Sequence, residues 1–268
     1  MQHSPALPLQ PIPVSDFIDA VSDAEILAWA DPDDNDGDGI SGVPNWISLK
    51  QYVKERPNSV TQNGRYMGRF GKKAATYDLL QQTATAYNQD IGITSSFEPV
   101  DTHSGLVFDP EVSNQTINDV VFYLKALKAP EPRPESNSIE GKQLFTTIGC
   151  SKCHRPEMKT GNSSIAAIAN KAFYPYSDFL LHDMGSSLDD GYTEGSAKTY
   201  EWRTPPLWGV GLSKKSQGGQ YFLLHDGRAR SIEEAILLHG GEGIQSRSNY
   251  EALTNEEKTK LIRFLESL

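Results

Sequence analysis

Apolar side chains recur at three- and four-residue spacing in a few separated stretches, and these set the predicted elements. Phe17, Ile18, Val21, Ile26 and Leu27 follow Ser15, a residue able to cap, and predict a first helix. Leu79, Leu80, Thr83 and Tyr87 predict a second; Ile117, Val120, Val121, Leu124 and Leu127 predict a third, amphipathic and closed by Pro130. Residues 138–148 read as helix, with Ile139, Leu144 and Phe145 on one face. Ser231 with Glu234, and Thr254 with Glu257, have capping-box spacing. The first pair opens a helix toward Leu238, the second a last helix lined by Leu261, Leu265 and Leu268. Residues 92–110 and 149–231 read mostly as loop, and no run alternates with period two. The pattern predicts a mainly α chain with long loops and no internal repeat.

Punctuation divides the chain further. Residues 1–14 hold four prolines and no periodicity, as an extended arm would. Ala129-Pro130-Glu131-Pro132-Arg133-Pro134-Glu135 reads as a stiff linker between a smaller helical or irregular region, 1–128, and a helical domain, 136–268. The acidic run 31–39 must be loop. Its Asp34, Asp36 and Asp38 alternate around glycines, the arrangement by which calcium loops wrap oxygens about a hard cation. A residue is missing before Ile40 relative to an EF-hand, and no glutamate follows at the twelfth position, so a solvated acidic turn is the other reading.

Composition removes several classes. With 37% hydrophobic residues the chain of 268 is too apolar for wholesale disorder, yet no stretch is long enough to span a membrane. A net charge of −10 argues against nucleic acid or anionic lipid as the main partner. Two cysteines exclude a multi-disulfide scaffold. No basic, apolar leader opens the chain.

Both cysteines fall in Cys150-Ser151-Lys152-Cys153-His154, the C-x-x-C-H signature of covalent haem attachment. Two thiols one turn apart add to the two porphyrin vinyl groups, and the next imidazole binds iron as proximal ligand. Thiol–disulfide exchange at Cys150 and Cys153 would want an alternating α/β context, and zinc would want more ligands. One haem c is therefore the expected cofactor. In bacteria such attachment occurs outside the cytoplasm, so the expected location is the periplasm, with a leader already removed. For the opposite face of the iron, Met158 lies too near His154, leaving Met184, His225 and His239.

Tyr221-Phe222-Leu223-Leu224-His225-Asp226-Gly227-Arg228-Ala229-Arg230-Ser231-Ile232-Glu233-Glu234 resembles the HDGR segment of the bacterial di-haem cytochrome c peroxidase superfamily. The likeness is closer to its di-haem oxidoreductase branch, described as thiol oxidoreductases. Gly68-Arg69-Phe70-Gly71, Asp90-Ile91-Gly92-Ile93-Thr94-Ser95, Leu181-His182-Asp183-Met184-Gly185 and Arg203-Thr204-Pro205-Pro206-Leu207-Trp208 resemble it in the same order. The resemblance implies a cytochrome c-like helical haem domain, with His239 matching the sixth-ligand position and Met184 as runner-up. It also implies His225 beside the haem edge and Arg228 and Arg203 as propionate partners. A second imidazole in place of Met would lower the reduction potential.

The chain departs from that pattern. It has one C-x-x-C-H where complete members have two, as if it lacked the first haem segment, and Lys72 where the branch usually has Trp. A peroxidase mechanism does not carry over, and one-electron transfer with a redox partner protein, drawn by the negative charge, is the expected activity. An oxidoreductase whose reactive haem lies on another segment is the alternative.

Overall fold

The computed structural model describes residues 15–127, 133, 139–163 and 165–268. The Pro-rich arm 1–14 and all of the linker 129–135 except Arg133 lie outside the described residues. Helix occupies 35% and strand 12% of the described residues, which corrects the expectation of a mainly α, cytochrome-like chain. The fold is mixed: short helices joined by loops that pair, among the described residues, through three small antiparallel sheets. The reason is length. Strands of two or three residues are too short to show alternation, so the sequence pattern reads them as loop.

In chain order the helices are α1 (Ser15–Asp19), α2 (Asp23–Leu27), α3 (Leu79–Gln89), α4 (Asn114–Ala126), α5 (Ile139–Thr147), α6 (Val210–Ser216), α7 (Ile232–Leu237), α8 (Ile244–Glu251) and α9 (Asn255–Ser267). The strands are β1 (Trp46–Ile47), β2 (Thr61–Gln62), β3 (Arg65–Met67), β4 (Met158–Lys159), β5 (Ala172–Phe173), β6 (Leu181–Asp183) and β7 (Glu201–Arg203). β3 lies between β1 and β2; β4 pairs with β5, and β6 with β7.

Local chemistry explains the boundaries. The first predicted helix is two, because Ser22 accepts from the Glu25 amide and starts α2 afresh while Val21 bridges to Thr160. Asp78 and Ser113 cap α3 and α4. Thr254 and Glu257 close a reciprocal capping box at α9. At α7 only half of it forms: Ser231 accepts from Glu234, whose carboxylate instead accepts from the Arg230 amide. Burial departs from the predicted faces in one place: Ile139, the first residue of α5, is exposed, whereas Phe145 is buried. On α4 only Ile117 is fully buried.

Two large apolar clusters hold the described residues together. One draws Ile18, Val21, Met67, Phe70 and Leu79 together with Met158, Phe173, Phe179, Leu180 and Trp208, so residues from both sides of 129–135 share it. The other joins Phe145 and Ile148 to Tyr176, Tyr250, Leu261, Phe264 and Leu265 where α5 packs on α9. Cys150 packs against this second cluster. No helix among the described residues is long and apolar enough to cross a membrane.

Candidate haem site

α5 ends at Thr147, and two residues on Gly149, with a φ of 101°, turns the chain into a left-handed conformation that a side chain would resist. A Cβ there would also lie 2.7 Å from Ser246 Oγ. The turn launches a short 3-10 segment, Cys150–Lys152, and the His154 amide bonds to the Cys150 carbonyl. The two thiols are thereby one turn apart and unpaired with each other. Burial pushes the Cys150 thiol up to about 12 and raises Cys153 as well, so both are protonated near neutral pH.

His154 and His239 are anchored alike. Each donates its Nδ1–H to a backbone carbonyl, His154 to Tyr176 at 3.0 Å and His239 to Ala235 at 2.7 Å. That fixes the tautomer and leaves each Nε2 a bare lone pair, with no hydrogen-bond partner among the described residues. Both rings are partly buried. Desolvation, then the nearby His239, lowers His154 to about 4; desolvation also lowers His239. Two neutral imidazoles with free Nε2 atoms are what an iron centre requires of its axial ligands.

His239 is set by its loop. Gly241 has a φ of 50°, and a Cβ on it would lie 2.1 Å from the Asp183 carbonyl, so only glycine lets the chain turn against β6 after the histidine. A Cβ on Gly240 would likewise lie 2.6 Å from the Met184 carbonyl. Met184, whose amide bonds the Tyr200 carbonyl, therefore borders the His239 loop.

The remaining residues divide. His225 stacks on Trp202, ring centroids 3.3 Å apart at 10°, and burial lowers its pKa to about 4. Arg203 bonds the carbonyls of Gly71 and Thr204 and has no carboxylate within ion-pair distance among the described residues. Desolvation lowers it to about 10, so it stays charged. A partly buried guanidinium without a counter-ion suits a propionate. Arg228 is already engaged, by Asp226 and the Ser187 carbonyl. In the acidic loop, carboxylate oxygens of Asp31, Asp34 and Asp36 lie within 4.8 Å of one another. Asp38 instead pairs with Lys152 at 3.0 Å, which docks the loop on the cysteine motif.

One cluster was not legible as a site. His182 is 3% exposed and spends both nitrogens on carboxylates, Nε2 on Asp178 at 2.9 Å and Nδ1 on Glu242 at 2.6 Å. Nδ1 is also 3.5 Å from Cys153 Sγ. Burial alone would lower the His182 pKa, but the Asp178 charge and its hydrogen bonds carry it well above the usual imidazole value. Glu242 also accepts from the Ser41 hydroxyl and amide. The cluster thus ties the residue before His154, the loop after His239 and Ser41, whose carbonyl accepts from the Asp31 amide and closes the acidic loop, into one partly buried network. The LHDMG segment was the available signal, but nothing in sequence pairs it with Asp178 or Glu242.

A C-x-x-C-H turn beside two free imidazole faces and an uncompensated arginine fits a haem and marks a haem redox protein. The family model described as "Di-haem oxidoreductase, putative peroxidase" matches residues 9–268, and the chain belongs to that family. No curated protein matches the chain. Among solved structures, a chain of Kuenenia stuttgartiensis hydrazine synthase, pressurized with 20 bar xenon, is 18% identical with a TM-score of 0.38. The match covers 63% of this chain and 59% of that one, so the chain spans less than two thirds of its length.

Proposed function

We propose that this chain is a periplasmic haem c protein that carries one electron at a time. Cys150 and Cys153 would hold the porphyrin, His154 and His239 would take the two faces of the iron, and Arg203 would meet a propionate. The matched anchoring of the two imidazoles carries the reading: both Nδ1 atoms are committed to carbonyls and both Nε2 atoms are free. Haem supplies a one-electron couple; the chain supplies ligands, orientation and a counter-charge. Two strong ligands leave no open face for peroxide, which favours electron transfer over peroxidase chemistry.

Exported protein is expected to gain the mass of one haem and to show a six-coordinate, low-spin spectrum. His239→Ala is expected to convert it to high spin and admit cyanide. An unchanged low-spin spectrum would move the sixth ligand to Met184. The bare polypeptide mass after competent maturation would end the haem reading.

The same reading gives the acidic loop a calcium ion, now on Asp31, Asp34 and Asp36. These oxygens converge, and the loop amides of Gly39 and Asp36 already hold Asp34 and Asp31 in place. Chelation is expected to lower the melting temperature of the parent protein and to leave Asp36→Ala unmoved. Equal melting curves with and without chelator in the parent would remove calcium from the proposal.

A further inference from the structure

Trp202 on β7 stands directly opposite His182 on β6. Opposed residues of an antiparallel pair project from the same face, so the indole and imidazole are cross-strand neighbours. His182 in turn reaches Cys153 Sγ at 3.5 Å. On the other side, the Trp202 ring carries the stacked His225 ring, which is partly exposed and has neither nitrogen hydrogen-bonded among the described residues. A stacked imidazole–indole pair and, across the strand register, the His182 imidazole therefore lie in succession between the surface and the Cys153 thiol.

The surroundings hold this arrangement still. Trp202 Nε1 donates to the Leu188 carbonyl at 2.8 Å. Lys73 Nζ lies 3.9 Å from the Trp202 ring centroid and is itself 2% exposed. It donates to the carbonyls of Lys198, Thr199 and Glu201 and pairs with Asp190 at 3.3 Å. An ammonium fixed against an indole strengthens packing but opposes positive charge on the ring. Trp202 is thereby kept reduced, as an orbital bridge and not as a radical intermediate.

We propose that His225, Trp202 and His182 form the route by which an electron crosses between the surface and the haem-bearing Cys153. An external one-electron carrier would dock over His225. The inference rests on the haem reading above. One electron moves, the carrier loses what the haem gains or the reverse, and none of the three rings changes its bonds or protons.

The test uses the full holo-protein with a photoactive ruthenium–bipyridine group coordinated to His225, and a second preparation labelled at the exposed His103. Flash excitation is expected to reduce the haem at least an order of magnitude faster from His225 than from His103. Trp202→Leu should slow the His225-labelled rate by a similar factor while spin state and midpoint potential hold. Trp202→Phe, which keeps an aromatic ring and tolerates the site better, should fall between. Independently of electron transfer, the ring-current shift of the unlabelled His225 protons should vanish in Trp202→Leu. Equal rates from the two labels, or a rate indifferent to Trp202→Leu and Trp202→Phe, would overturn the route. Absence of a Soret band in the parent protein would instead fail the haem reading.

Discussion

Arg69→Leu is expected to lower the unfolding free energy by about 3–5 kcal/mol, because it strands a buried carboxylate and several carbonyls at once. The Arg69 side chain is 1% exposed and pairs with Asp23, itself 2% exposed. It also donates to the carbonyls of Ile18 at 2.8 Å, Asp19 at 3.3 Å and Val21. One guanidinium thus ties the break between α1 and α2 to the GRFG segment that follows β3. Desolvation, then the neighbouring Arg56, lowers its pKa to about 10, so it remains charged at neutral pH. Asp23 would keep the Val60 amide, which donates to it at 2.8 Å, and one cation among the described residues, Arg56 at 3.6 Å. Arg69→Lys should recover part of the loss, since one ammonium cannot span the acceptors a planar fork reaches. Urea denaturation of the two variants beside the parent, all in one haem state, measures this. A loss no larger than that of an exposed ion pair such as Lys260 with Glu256, roughly 0–1 kcal/mol, would refute the assigned role.

That arginine shows which parts of the molecule the sequence disclosed. Features written in adjacent residues were legible: the C-x-x-C-H turn, the Thr254–Glu257 box, the apolar face of α9. Gly68-Arg69-Phe70-Gly71 stood out as a resemblance, but its buried partner Asp23 is 46 positions away and carries no local mark. The strands failed for a related reason. Each has two or three residues, and what creates them is a partner such as Trp202 opposite His182, not any period within the strand. Lys73 illustrates the same limit. A lysine beside Lys72 reads as a solvated charge, yet three carbonyls and an indole face bury it. At the candidate site, motif and resemblance single out His154 and His239, whereas His182 stands in the sequence only as a neighbour of Met184. Long-range pairing made it the centre of a charged network.

That network carries the second large effect. His182→Leu is expected to cost roughly 3–5 kcal/mol near neutral pH, because two carboxylates built around one cation would be left facing each other without it. Asp178 is 1% exposed, so water cannot replace the lost charge there. The pH dependence follows from the shifts. The folded His182 pKa is raised well above 6.5, so its contribution is complete below about 6.5 and is lost as pH rises through the folded value. Glu242 is lowered, against the effect of burial, by its bonds to His182 and Ser41. Its share is complete above the usual carboxylate value of 4.5 and is lost as pH falls through the folded value. His182→Gln removes the charge but keeps an amide for one carboxylate, so it should lie between the parent and Leu. Its deficit should shrink as pH climbs past the folded His182 value. A deficit that stays flat across that range would show that packing, not the charge, is what His182 contributes. Because Cys153 and the loop after His239 hang on this imidazole, the low-spin spectrum that the proposed function expects of the exported parent should weaken in the Leu variant before global unfolding begins.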